Sequence, residues 1–146
     1  MKAVVQRVRA GSVTVDGHSI ASIGLGLMIL LGIGPDDGEE TAQALARKIA
    51  MLRIFEDEQG KMNRSCLDVK GQAIVVSQFT LYADTRKGNR PSFTGAALPD
   101  LARPLCDRFA SLLTEQGIPT QTGEFGAHML VGIENDGPVT ILMEMN

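Results

Sequence analysis

A chain of 146 residues, 44% of them apolar and 21% charged, has the composition of a soluble globular protein folded as one domain over 1–146; it is long enough to bury roughly 68–70% of its unfolded surface. A net charge of −3 and an isoelectric point near 5.3 argue against a strongly basic, nonspecific nucleic-acid binder, while leaving room for RNA contact through a local basic loop. Two cysteines, Cys66 and Cys106, argue against a disulfide framework and fit no zinc spacing, and Lys2, Arg7 and Arg9 leave no room for the apolar core of a signal peptide.

Val4 to Val8 reads as a first strand. Val13 to Val15 and Ile20 to Ile23 flank Asp16-Gly17, whose two residues tolerate positive φ and so signal a type I′ hairpin. Leu25 to Ile33 is a continuous apolar strand, expected to be covered on both faces. The apolar run around it, Ile23 to Gly34, spans only about 12 residues, short of the ~20 that cross a bilayer, so the cytoplasm is the default location. Gly34 to Gly38 breaks the strand. Ala42, Leu45, Ala46, Ile49 and Leu52 then recur at helical spacing and predict a helix from Glu39 to Arg53, with acids in its first turn and bases later.

Asp57 to Gly60 is a turn, Lys61 to Lys70 a polar connection and Gln72 to Tyr82 a strand. Asp84 to Pro91 is a charged loop. A second helix falls within Leu98 to Gln116, with Leu101, Leu105, Phe109, Leu112 and Leu113 on one face; Pro104 is expected to move its start to about Ala102, and Gly117 to cap its end. Thr120 to Glu124 is extended or loop. Met129 to Glu134 and Val139 to Met145 are two further strands. The fold class is α+β: a β-rich mixed or antiparallel sheet, barrel-like or a sandwich, with two main helices.

Chemistry concentrates in two segments. In Ser77-Gln78-Phe79-Thr80-Leu81, strand alternation places Gln78 and Thr80 on one face. A polar pair ending the Ile74-Val75-Val76 run is out of place in a plain core strand, a local inconsistency that points weakly to a functional site; on the pattern alone, two side chains that merely hydrogen-bond nearby loops are the better explanation. In Asn135-Asp136-Gly137-Pro138-Val139-Thr140, the Gly-Pro pair is by itself an ordinary hairpin turn. Neither segment carries a Ser-His-Asp triad, a Cys-His pair or a set of metal ligands, so an enzyme built on them works by shape, backbone dipoles and positioned water.

The stretch Ser77 to Phe93 (SQFTLYADTRKGNRPSF) together with Gly137-Pro138 closely resembles the D-aminoacyl-tRNA deacylases, and the likeness runs from Met1-Lys2-Ala3-Val4-Val5-Gln6-Arg7-Val8 to Met143. The resemblance implies a homodimer that hydrolyses the ester of D-aminoacyl-tRNA, and of glycine mischarged on tRNA. Its partner is then the 3′ end of aminoacyl-tRNA, with no cofactor, metal, membrane or DNA. Ser77, Gln78, Phe79 and Thr80 would form the catalytic segment, with amides around Gln78 and Phe79 as oxyanion donors and Thr80 positioning the water or the substrate's amino group. Gly137-Pro138 would be cis and enter the partner subunit's site as a backbone wall at the substrate's α-carbon, excluding L-amino acids. Arg7 would brace that wall, and Arg86, Lys87 and Arg90 would meet tRNA phosphates. His128 and Ala10-Gly11-Ser12 depart from the family pattern.

Three other readings compete. Cys66, His128 and Asp68 would compose a cysteine hydrolase; Arg64 lies near the thiol in sequence, but nothing places His128 beside it. A metalloenzyme has little to stand on, because His18 and His128 lack ligand spacing and Asp36-Asp37-Gly38-Glu39-Glu40 reads as a helix start. A noncatalytic module that binds the aminoacylated tRNA end would use the same pocket as the enzyme.

Overall fold

The computed structural model describes residues 1–146. Eight strands and two α-helices follow in the order β1 (Lys2–Val15), β2 (His18–Ile23), β3 (Gly26–Gly32), α1 (Glu39–Ala50), β4 (Phe55–Glu56), β5 (Met62–Arg64), β6 (Gln72–Ser77), α2 (Pro99–Glu115), β7 (Thr120–Thr122) and β8 (Leu130–Glu144). β4 and β5 form a separate ribbon. The other six build one mixed sheet: antiparallel around β1, with β6 parallel to both β3 and β7. The sheet curls until it is nearly a barrel.

The apolar run of β3 has two faces to satisfy. Leu27, Ile29 and Leu31 join Ala73 and Val75 of β6 in the main core beneath the helices, where they meet Leu45, Ile49, Phe109 and Leu113. Met28, Ile74 and Val76, at the alternate positions, fill a smaller core inside the curl with Val8, Val13 and Ile23. Full burial of each large side chain removes apolar surface worth about 1.5–3 kcal/mol. Asp16 and Gly17 join β1 to β2 with φ of 49° and 78°, the two positive values of the type I′ turn.

Several boundaries differ from the sequence reading. The first two predicted strands are one, because β1 runs unbroken past Val8 with β3 and then β2 on one edge. The predicted helix to Arg53 stops at Ala50. α2 starts at Pro99 rather than near Ala102, and Pro104 sits inside it. Its ring removes only the N–H that would reach the Asp100 carbonyl, at a point where the helix is already anchored by Leu101 and Ala102 donating to Leu98 O. Leu101 consequently faces solvent instead of the core. Gly117 does close the helix, with φ of 107°.

The two predicted C-terminal strands are also one. Both halves of β8 pair with the same edge of β1, from Lys2↔Glu144 to Thr14↔Leu130, and the Gly-Pro pair is a break in register between them rather than a hairpin turn. The other edge of β8 carries no strand.

Candidate active site

A cavity of about 580 Å³ opens where β6 ends. Val76, Ser77 and Gln78 form its floor, the start of α2 closes one side with Leu98 and Ala102, and the 125–129 segment leading into β8 closes the other. Phe79, Phe93 and Phe125 supply aromatic wall; the first two meet edge to face with ring centroids 5.1 Å apart. No Asp, Glu, Lys or Arg lines the cavity. It suits a flat, uncharged group with polar atoms at one end.

Strand β6 stops at Ser77, and Phe79–Tyr82 is a single turn of 3-10 helix. The alternation expected for Gln78 and Thr80 therefore does not apply to Thr80, which is exposed at the mouth of the cavity segment rather than on a strand face. Gln78 N–H donates to Leu31 O at 2.8 Å, so it is not free to serve as an oxyanion donor. The first bond inside the turn is Leu81 N–H to Gln78 O at 3.2 Å, which leaves the N–H groups of Phe79 and Thr80 without a partner in the helix. Gln78 Nε2 donates to Thr80 Oγ1. That contact fixes the hydroxyl and leaves its proton and one lone pair for another group.

The Gly137-Pro138 peptide bond is cis. It is held from several directions. Arg7, only 5% exposed, donates from Nε to Asp136 O at 2.8 Å and from Nη1 to Ile54 O at 2.8 Å. The Glu56 and Asp136 carboxylates each lie 3.8 Å from the same guanidinium. On the other side of the Gly-Pro pair, Asn135 Oδ1 accepts from Val139 N–H at 2.7 Å while its Nδ2 donates to Thr140 Oγ1 at 3.1 Å. Gly137 has φ of 137°, and a Cβ there would lie 2.8 Å from Val139 Cγ2.

Gly137, Pro138 and Arg7 do not line the cavity. Val131 of β8 does, but six residues of strand, about 20 Å at the usual rise, separate it from Gly137. Within one chain, then, the structure gathers Ser77, Gln78 and Phe79 at a cavity with Thr80 beside them, and keeps the Gly-Pro element apart.

The basic loop divides. Arg86 grips Asp84 through Nε and Nη2 at 2.9 and 2.7 Å, and these bonds hold the Asp84 carboxyl below its usual range. Lys87 and Arg90 are exposed and make no ion pair. The residues of the cysteine-hydrolase reading are scattered. Cys66 is fully buried against Gly71, and burial pushes its thiol up to about 12. Asp68 accepts from Ser65 N–H, while His128 lines the cavity. Phe125 and Met129 are wall residues that the sequence reading did not assign, and His128 had been placed only in the cysteine-hydrolase reading; an aromatic and a thioether in a Gly-rich approach to a strand were the only signal.

Known proteins share this chain's sequence and fold. The family model described as D-Tyr-tRNA(Tyr) deacylase matches residues 4–144. A D-aminoacyl-tRNA deacylase from Thermomicrobium roseum is 60% identical over 144 residues, covering 99% of this chain and 94% of its own. One from Chloroflexus aurantiacus is 59% identical, covering 99% and 90%. Among solved structures, the c-Myc DNA Unwinding Element Binding Protein superposes with a TM-score of 0.93 at 45% identity, over 99% of this chain and 98% of that one. A probable eukaryotic D-amino acid tRNA deacylase shares the fold, with a TM-score of 0.78 at 18% identity over 97% of both chains.

Proposed function

The chain belongs to the D-Tyr-tRNA(Tyr) deacylase family, and from that premise we propose that it is a D-aminoacyl-tRNA deacylase whose catalytic segment is Ser77, Gln78, Phe79 and Thr80. The observation that carries the reading is the uncharged cavity that ends on this segment. The cavity takes the terminal nucleoside of tRNA and presents its aminoacyl ester to the 3-10 turn. The ester is activated, so the protein's task is to place a water and to stabilise the tetrahedral oxyanion. The N–H groups of Phe79 and Thr80 are the donors for that oxygen; loss of one such donor typically costs about 10²–10³ in rate. Thr80 Oγ1, steadied by Gln78, holds the water or the substrate's amino group. The ribose 2′-hydroxyl, donor and acceptor at once, is a second candidate for activating the water.

Chirality is assigned to Gly137-Pro138 of a second copy. A braced main-chain wall at the α-carbon excludes the side chain of an L-amino acid and accepts hydrogen there, so D-aminoacyl and glycyl esters are both cleaved. The free edge of β8 and the exposed apolar side chains beside it, Leu130 at 73% and Leu142 at 79%, support a homodimer, since such an edge and face are rarely left bare. The protein acts in the cytoplasm, where its substrate is.

The test is incubation with D-aminoacyl-tRNA and its L counterpart. Release of the D-amino acid alone is expected; tight binding without release would make the protein a carrier of the aminoacylated end. Mixing a Gly137→Val protein with a Thr80→Ala protein tests the cross-subunit arrangement. Random reassortment of a symmetric dimer gives half heterodimers with one intact composite site each, hence about one quarter of wild-type activity. Recovery of nothing would put the Gly-Pro element in its own subunit's site.

A further inference from the structure

The cavity accepts the uncharged part of its substrate, but a nucleotide chain leaving it carries a phosphate immediately outside. We propose that Arg103, on α2 at the cavity rim, binds the phosphate that joins the terminal nucleoside of tRNA to the one before it; this rests on the deacylase reading above. The guanidinium carbon of Arg103 lies 4.6 Å from the ring centre of Phe125, which is a wall of the cavity, and its neighbour Ala102 lines the same space.

Arg103 is exposed and yet makes no ion pair and no hydrogen bond within the protein, although Asp107 stands one turn further along its helix and Glu124 adjoins Phe125 in sequence. Other arginines are committed: Arg86 to Asp84, Arg108 to Glu39 and Glu115, Arg9 to Asp136. Among those that are not, Arg103 alone lies over an aromatic ring. A cation over a ring face is held in place without engaging its N–H groups. An arginine held over a ring with all its donors free is prepared for two parallel bonds to a phosphate. Arg86, the residue that sequence first suggested for phosphate, has two of its donors on Asp84 and would have to give them up.

Arg103→Met tests this, because the thioether still packs on Phe125 while the charge is gone. Two substrates are compared, D-aminoacyl-tRNA and a D-aminoacyl-adenosine ester that has no phosphate. For the tRNA, KM should rise about tenfold with kcat unchanged, and the salt dependence of log KM should flatten by about 0.7, the value of one single-strand phosphate. For the adenosine ester nothing should change, and Arg103→Lys should recover the tRNA KM to within about threefold. An equal rise on both substrates would make Arg103 a mere cover for Phe125 and overturn the proposal, as would an unchanged KM on tRNA. If the wild-type protein cleaves neither substrate, the deacylase reading falls and this one with it.

Discussion

At the end of β6 the proposed catalytic segment lies on one exposed turn, with the Thr80 hydroxyl tied only to Gln78. In the middle of β8 it carries a Gly-Pro pair fixed by Arg7 from beneath and by Asn135 from one end. The first region lines the large cavity; the second does not. Bracing therefore does not follow the reacting atoms. It falls on the element that, under the proposed mechanism, must not yield. A water and an ester can be positioned by a few donors that settle as substrate arrives, whereas a wall that sorts two mirror images fails as soon as it gives by a fraction of an ångström. Under the proposed mechanism, substitutions at β8 should cost both stability and selectivity, and those at Thr80 should cost rate alone.

Arg7→Ala should be the most damaging. It removes two charge-assisted bonds and leaves the Ile54 and Asp136 carbonyls without their donor beside two carboxylates. We expect a loss of about 3 kcal/mol in urea unfolding and a fall of about 100-fold in the ratio of D to L cleavage. Unchanged selectivity in a destabilised protein would break the link between bracing and selection. Gly137→Ala comes next. Its Cβ would meet Val139 Cγ2 at 2.8 Å and Arg7 Nη2 at 3.1 Å, on a backbone with φ of 137°. About 1–3 kcal/mol of strain should appear, and the ratio of D to L cleavage should drop by roughly tenfold or more as the wall shifts by tenths of an ångström.

Thr80→Ala sharpens the contrast. The side chain is exposed, so unfolding should move by less than about 0.5 kcal/mol, while hydrolysis of D-aminoacyl-tRNA should fall about 10- to 100-fold with selectivity intact. A fall of less than tenfold removes the hydroxyl from any central role and leaves the work to the amides of Phe79 and Thr80 and to the ribose.

The β-rich core and both helices were legible in the sequence because burial imposes a period: Leu27 and Met28 face different cores, and Ala42, Leu45 and Ile49 face one. The site segment was legible by its composition and by resemblance to the deacylases, but its geometry was not. Strand alternation was carried through Ser77 to Tyr82, yet a 3-10 turn depends on where the parallel partner strand ends, and Leu31 is the last residue of β3 to pair with β6. For the same reason Gln78 N–H was taken as a free donor when Leu31 O accepts it. Pro104 and Gly137-Pro138 were both read by local rules, as a helix limit and a turn. Long-range pairing overrode each: α2 is held down by its apolar face, and both halves of β8 by one edge of β1. Arg103 left no mark in the sequence at all, since its partner Phe125 is distant along the chain.

The smallest effect is expected at the thiols, and it separates the proposed mechanism from the cysteine-hydrolase alternative. Burial pushes Cys66 and Cys106 up to about 12 from an ordinary value near 9. At pH 8 both are neutral and inaccessible, so iodoacetamide should leave hydrolysis unchanged, and any slow loss should match the rate of global unfolding rather than precede it. Because the folded-state values are raised, the stability these thiols contribute is complete below about pH 9 and declines as pH climbs toward 12. The melting temperature should therefore begin to fall above pH 9, and Cys66→Ala should reduce the part of that fall due to its own thiol. Rapid inactivation at pH 8 with the fold intact would restore Cys66 as a nucleophile and remove the reason for assigning the chemistry to main-chain donors.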